Sequence, residues 1–273
     1  MATTKDVMET QVAGFPAMRI EGRTERPPLL FVHGAFVTHE SFAPWLARLG
    51  AAGWRGVAPS RRGRLGVGPA QARGLRVEDY VDDTRRVIDA LGEAPVIVGH
   101  SLGGLVAQRL AEEGRAAALV LLAPAPATRL AAQPVAIPAL LPMVPRILAG
   151  APVRPSCASC ENLALNRVPK EDRARTHEGL VHESGAAYRD LIFGKVRVDP
   201  RKVQCPVLVL SGSDDHIISP AQARWTAERY HGELEILDGH GHWLIEEPGW
   251  EAIADRVHRW AEGHSGSRRS QVA

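Results

Sequence analysis

The stretch Pro95-Val-Ile-Val-Gly-His-Ser-Leu-Gly-Gly-Leu105 runs from an apolar segment straight into a single serine bracketed by glycines. Val96-Ile-Val98 is short and β-branched, the pattern of a buried strand. From Leu105 to Leu110 the apolar residues continue at helical spacing, up to a stop at Gly114. Gly-x-Ser-x-Gly between a strand and a helix is the context of a nucleophile elbow, whose sharp turn raises the serine above the sheet. In so tight a turn a side chain at 99 or 103 would collide with neighbouring backbone, which gives both glycines a steric purpose. The competing reading is a glycine-rich loop with a capping serine.

Working outward, Leu29-Leu-Phe-Val32 is a second buried strand, ending at His33-Gly34, and Gly56-Val-Ala-Pro59 is a shorter one. Val77, Tyr80, Val81, Thr84, Val87, Ile88 and Leu91 recur every three or four residues, which predicts a helix with one buried face, ended by Gly92. Ala118-Leu-Val-Leu-Leu122 reads as a further strand. Eight prolines then fall between Pro124 and Pro155, so that stretch cannot form one long helix and should break into short bent ones. Alternation resumes with the strand Pro206–Leu210, a helix from about 220 to 230, the strand Leu234–Leu237 and a closing helix from about 249 to 260. Apolar strands separated by helices predict an α/β fold: a mostly parallel central sheet covered on both faces. The domain reading is a core from 1–123, an inserted and mainly helical cap or lid from 124–204, and the rest of the core from 205–273 with a flexible tail.

The 273 residues can bury a large core. Thirty-three basic residues against 31 acidic ones leave no charge excess of the kind nucleic acid demands, and the Arg-rich Ser265–Ser270 reads as a solvated end. No apolar run approaches membrane-spanning length and the N-terminus has no leader pattern, so the expected location is the cytoplasm. Three cysteines, Cys157, Cys160 and Cys205, do not make a disulfide framework. Cys157-Ala-Ser-Cys160 has neither the second pair that zinc needs nor a thioredoxin-like setting, and is read as structural or incidental.

With the elbow and the strand pattern in place, the sequence resembles the α/β-hydrolase fold superfamily, of the capped esterase, lipase and C–C hydrolase type with a serine nucleophile. The likeness runs from the strand before His33-Gly34 to the last helix and implies the order serine, acid, histidine. A serine hydroxyl is a poor nucleophile until a base takes its proton, and the base needs a carboxylate to orient it. Among eleven histidines the family pattern selects His242, in Gly241-His-Trp-Leu-Ile-Glu-Glu-Pro248, with His240 as runner-up. His100 and His33 read as structural, His33 securing its own loop. For the acid the resemblance favours Asp215, at Gly-x-x-Asp spacing from Gly212, over its neighbour Asp214. The alternative position after the preceding strand, Leu121–Pro126, has no carboxylate. The oxyanion donors implied are the backbone N–H groups of Leu102 and Ala35, with Phe36 as another donor or a pocket wall. One departure is Ser60–Gly68, where relatives carry Arg-Gly-His-Gly and this chain has Arg64 in place of the histidine.

The reaction implied is cleavage of a carboxylic ester, lactone or thioester through an acyl-enzyme, without a cofactor. Val135–Leu148 suggests an apolar wall, hence a hydrophobic small-molecule substrate, with Leu140, Leu141 and Met143 as wall residues. C–C bond hydrolysis, hydroxynitrile cleavage and perhydrolysis use the same elbow, and a non-enzymatic receptor with a residual triad is the reading from another class. Oligomeric state is left open.

Overall fold

A computed structural model describes residues 6–64 and 68–264; the stretch Ser265–Ser270 lies outside the described residues. The chain opens with an antiparallel hairpin, β1 (Met8–Val12) and β2 (Phe15–Ile20), turned through Ala13 and Gly14 at positive φ. It then alternates through β3 (Leu29–Val32), α1 (Ala43–Ala51), β4 (Gly56–Pro59), α2 (Val77–Leu91), β5 (Val96–His100), α3 (Leu102–Glu112) and β6 (Ala118–Leu122). Between β6 and residue 207 the chain leaves this sheet. It forms the short helices α4 (Ile137–Leu140), α5 (Val144–Leu148), α6 (Cys157–Asn162), α7 (Lys170–Glu178) and α8 (Gly185–Ile192), with a ribbon of β7 (Pro152–Val153) against β8 (Glu183–Ser184). Alternation returns with β9 (Val207–Gly212), α9 (Pro220–Arg229), β10 (Glu233–Leu237) and α10 (Trp250–His264).

The eight-stranded sheet has the order β1-β2-β4-β3-β5-β6-β9-β10, parallel from β4 to β10. Alternate residues of each central strand feed opposite cores. Leu30, Ile97, Leu119 and Val209 pack with α2, α3 and α9, whereas Phe31, Val98, Val120 and Leu210 pack with α1 and α10. Burial on both faces is why these strands read as unbroken apolar runs. The mostly parallel sheet flanked by helices is therefore present, with one addition. The antiparallel β1–β2 hairpin escaped the sequence reading because its edge strand is mostly exposed and β2 carries a proline, so neither makes an apolar run.

The proline-rich stretch divides as its composition requires. Pro138 and Pro145 each sit in the first turn of α4 and α5, where a missing N–H costs nothing, and each helix is five residues or shorter.

At the centre, β5 passes to α3 through one residue, Ser101. A Cβ on Gly103 would lie 2.0 Å from the Val32 carbonyl oxygen, and one on Gly99 would lie 2.7 Å from that of Gly103. Gly103→Ala should therefore push β3 and α3 apart and destabilise the fold by about 3 kcal/mol. Gly263→Ala, in α10 with nothing within 4 Å, should cost no stability and can add up to about 1 kcal/mol through helix propensity. Urea unfolding of both variants checks this; equal stability would mean that the elbow is looser than its geometry.

Candidate active site

Ser101 is held at φ 53°, ψ −118°, a conformation rare for a residue with a side chain. Its backbone is fixed from three sides: its N–H donates to Leu122 O (3.0 Å), and its carbonyl accepts from Gly104 N–H (2.9 Å) and Ala125 N–H (2.9 Å). Leu102 opens α3, so its N–H is among those at a helix start with no intrahelical acceptor, at the positive end of the helix dipole.

Ser101 Oγ lies 3.0 Å from His242 Nε2, and His242 Nδ1 lies 2.8 Å from Asp215 Oδ2. With the Nδ1 proton donated to the carboxylate, Nε2 is left to accept the serine proton. Asp215 is buried in the loop after β9, and its other oxygen accepts the N–H groups of Ile217 and Ile218, both at 2.8 Å. Those bonds aim the carboxylate at the imidazole. Asp214 turns outward into an ion pair with Arg167, while its own N–H donates to His240 O at 2.9 Å. His240 points elsewhere as well, its Nδ1 2.8 Å from the buried Glu247, which also accepts Gly241 N–H. Burial, the largest influence, raises the pKa of Glu247 against the opposing pull of His240 and Gly241.

His100 does not face the serine hydroxyl. Its Nε2–H donates to the His242 carbonyl (3.0 Å) and so braces the loop that carries the imidazole. His33 bonds the Gly34 carbonyl from Nδ1 (3.0 Å). Ala35, Phe36 and Leu102 all border the space above Ser101. A Cβ on Gly34 would come within 3.3 Å of Ser101 Cβ, which shows how closely the loop after β3 passes Ser101.

That space is a mostly apolar cavity of about 90 Å³, walled by Phe36, Leu140, Met143, Tyr188, Leu191 and Ile218 among others. Leu140 and Met143 face it as expected. Leu141 does not: it is 61% exposed and absent from the wall, because adjacent residues on a short helical turn point to different sides. Tyr188, whose ring is tilted against Phe36 at 5.4 Å, and the buried Cys160 also border the cavity; no local pattern announced either. Cys157 and Cys160 are free thiols, and burial pushes the Cys160 thiol up to about 12. Arg64, where the relatives' pattern has a histidine, bonds Glu183 and the His182 carbonyl. Among the described residues no group of three or more His, Cys, Asp or Glu side chains could hold a metal ion.

Residues 29–256 match the family model described as "Alpha/beta hydrolase family". The chain belongs to this family. Its fold is similar to that of the monoacylglycerol lipase of Paleococcus ferrophilus, at 23% identity and a TM-score of 0.69, with 95% of this chain and 99% of that one covered. It is also similar to a soluble variant of monoglyceride lipase from Saccharomyces cerevisiae, at 14% identity and a TM-score of 0.73, covering 97% and 99%. A third similar structure is the 2-hydroxy-6-oxo-6-phenylhexa-2,4-dienoate hydrolase of Rhodococcus sp. strain RHA1, at 20% identity and a TM-score of 0.67, covering 93% and 98%. No curated protein matches the chain by sequence. At these identities the structural likeness is one of fold. No helix among the described residues of this hydrolase is long and apolar enough to cross a membrane.

Burial, ahead of the neighbouring His242, pulls His100 down to about 3, and burial followed by the charges of Arg61 and Arg64 holds His33 well below its usual value. Unfolded, each would take a proton near pH 6.5, so their contribution to stability is complete above that pH and is lost as pH falls, for His100 toward about 3. His100 adds a slope of about 1.4 kcal/mol per pH unit between those two values. His100→Gln keeps an N–H donor for the His242 carbonyl and should flatten the fall in urea-unfolding free energy between pH 6.5 and 5 by about one such slope. Identical slopes in the two proteins would mean that His100 protonates inside the native fold.

Proposed function

We propose that this hydrolase cleaves carboxylic esters, with lactones and thioesters in the same chemical class, through an acyl-enzyme on Ser101. The observation that carries the reading is the unbroken relay from Ser101 Oγ through His242 to the buried Asp215, at 3.0 and 2.8 Å. Ser101 Oγ attacks the carbonyl carbon while His242 Nε2 takes its proton. Asp215 stabilises the imidazolium so formed. The carbonyl oxygen gathers negative charge and is met by the backbone N–H groups of Leu102 and Ala35. Collapse expels the alcohol or thiol, protonated by His242. Water then attacks the acyl group, with His242 again as base, and restores Ser101. The chemistry runs on protein groups alone.

In this reading the stretch 124–204 is a cap that supplies the acyl-side wall. Support comes from Leu140, Met143, Tyr188 and Leu191, all of which face the space above Ser101. An apolar wall of this kind suits an aliphatic or ring-bearing acyl group better than a sugar or a phosphate.

A panel of p-nitrophenyl esters, lactones and thioesters tests the reading directly. Ser101→Ala should lower kcat by about 10⁴-fold or more with thermal unfolding unchanged. Asp215→Asn should cost about 10³- to 10⁴-fold and Asp214→Asn less than about threefold. Wild-type turnover in Ser101→Ala would sink the proposal, and a larger effect at Asp214 would move the acid there.

The wall has its own test. Leu140→Trp should shift the kcat/KM ratio of acetate to octanoate esters toward acetate by about tenfold. Leu141→Trp, on the exposed side, should leave the ratio alone. Equal loss on both esters with a lowered melting temperature would show that Leu140 only packs the segment.

A further inference from the structure

Arg61, two residues past the end of β4, is 2% exposed, an expensive place for a guanidinium that is always charged. The nearest carboxylate, Glu183 of β8, does not account for it. Glu183 is already bonded by Arg64, by Tyr80 Oη–H (2.6 Å) and by Ser184 N–H (2.7 Å), while Arg61 stands 3.9 Å away. Nor does Arg61 spread its donors widely, since Nε and Nη1 make no hydrogen bond among the described residues. Its plane lies over the Tyr80 ring at 4.5 Å, and Nη2 donates to the Gly34 carbonyl at 3.0 Å.

That carbonyl belongs to the peptide whose other end is the Ala35 N–H. A trans peptide is planar and its C=O and N–H point in opposite directions, so a grip on the oxygen sets the direction of the hydrogen. The grip is double. His33 Nδ1 also lies 3.0 Å from the same oxygen and 3.3 Å from Arg61 Nη2, and in the tautomer with its proton on Nδ1 it donates to the Gly34 carbonyl beside the guanidinium. Its neighbour Ala35 borders the cavity over Ser101, and Gly34 passes so close that a Cβ there would lie 2.9 Å from His100 Nδ1.

We propose that Arg61 is a positioning residue for the oxyanion hole: through the Gly34 carbonyl it fixes and polarises the Gly34–Ala35 peptide, so that the Ala35 N–H meets the developing oxyanion. The inference rests on the ester-hydrolase reading above. A cation on the carbonyl draws electron density from the amide and strengthens its N–H as a donor, and a site removed from water preserves the effect. Burial and Arg64 lower the pKa of Arg61 only to about 10, which leaves it charged at neutral pH. Arg61 and Arg64 share the one carboxylate of Glu183, while Asp83, the next carboxylate acting on Arg61, is already held by Arg62.

The test uses Arg61→Met, which keeps an apolar stem over Tyr80 without charge, Arg61→Gln as a second neutral variant, and Arg61→Lys. Each is counted by fluorophosphonate labelling of Ser101 and assayed on p-nitrophenyl butyrate and on inhibition by an alkyl trifluoromethyl ketone, which forms a tetrahedral oxyanion on the serine. Both neutral variants should lose about tenfold or more in kcat per labelled serine, with KM within about twofold. Ketone affinity should fall by the same factor as kcat/KM. Arg61→Lys should recover part of both, because an ammonium can still donate to Gly34 O. If either neutral variant folds and keeps kcat per labelled serine and ketone affinity within about twofold of wild type, Arg61 is a structural cation and the proposal falls, whatever happens to the melting temperature. A wild type that neither labels at Ser101 nor hydrolyses any ester overturns the hydrolase reading and this inference together, an outcome distinct from an active, labelled wild type with unaltered variants.

Discussion

A backbone at φ 53°, ψ −118° is one that a serine keeps only when its surroundings leave it no other choice. Here β5 must end and α3 begin within one residue, and Val32 and Gly99 crowd the helix start so closely that only glycine fits at 103 and 99. Three backbone hydrogen bonds, to Leu122 and from Gly104 and Ala125, tie that residue to β6, to α3 and to the chain leaving β6. The strain is thus borne by the packed centre of the sheet. What it achieves is to set the Ser101 hydroxyl above the sheet end beside the first N–H groups of a helix.

The remaining groups come to this point from loops that brace one another. Asp214 N–H bonds His240 O, His100 bonds the His242 carbonyl, and Trp45 Nε1–H bonds Ile245 O, so the acid loop, the elbow and the imidazole loop form one connected frame. The segment between β6 and β9 joins the same frame: Gln133 donates to Asp215 O, Asn166 to Asp214 O, and Val181 N–H to Phe36 O. The elements that wall the cavity therefore also steady the loops beneath it. Moving this segment would disturb the alignment of the site as well as access to it.

The central strands were legible because burial on both faces leaves only apolar side chains, and the elbow because its sterics demand glycine at fixed spacing. The β1–β2 hairpin was not, since an edge exposed on one side shows no unbroken apolar run. Ser101, His242 and Asp215 could be chosen from local motifs, each lying at the end of a strand in a loop with its own signature. Glu183 and Tyr188 could not, because their contacts join residues more than a hundred positions apart, such as Tyr80 with Glu183, and Arg61 could not, because its bond to the Gly34 carbonyl joins two separate loops and leaves no local pattern. Leu141 fails for a simpler reason: composition marks an apolar turn but not which of its side chains faces inward.

An acyl group passing through Ser101 would leave an intermediate that can be weighed. The protein is mixed with p-nitrophenyl butyrate, quenched in acid within milliseconds, and its intact mass and peptide map are measured by mass spectrometry. The predicted result is a transient butyryl adduct on the peptide that contains Ser101, absent from Ser101→Ala and formed in step with a burst of nitrophenol. Steady turnover without any adduct, or an adduct on another residue, would contradict it.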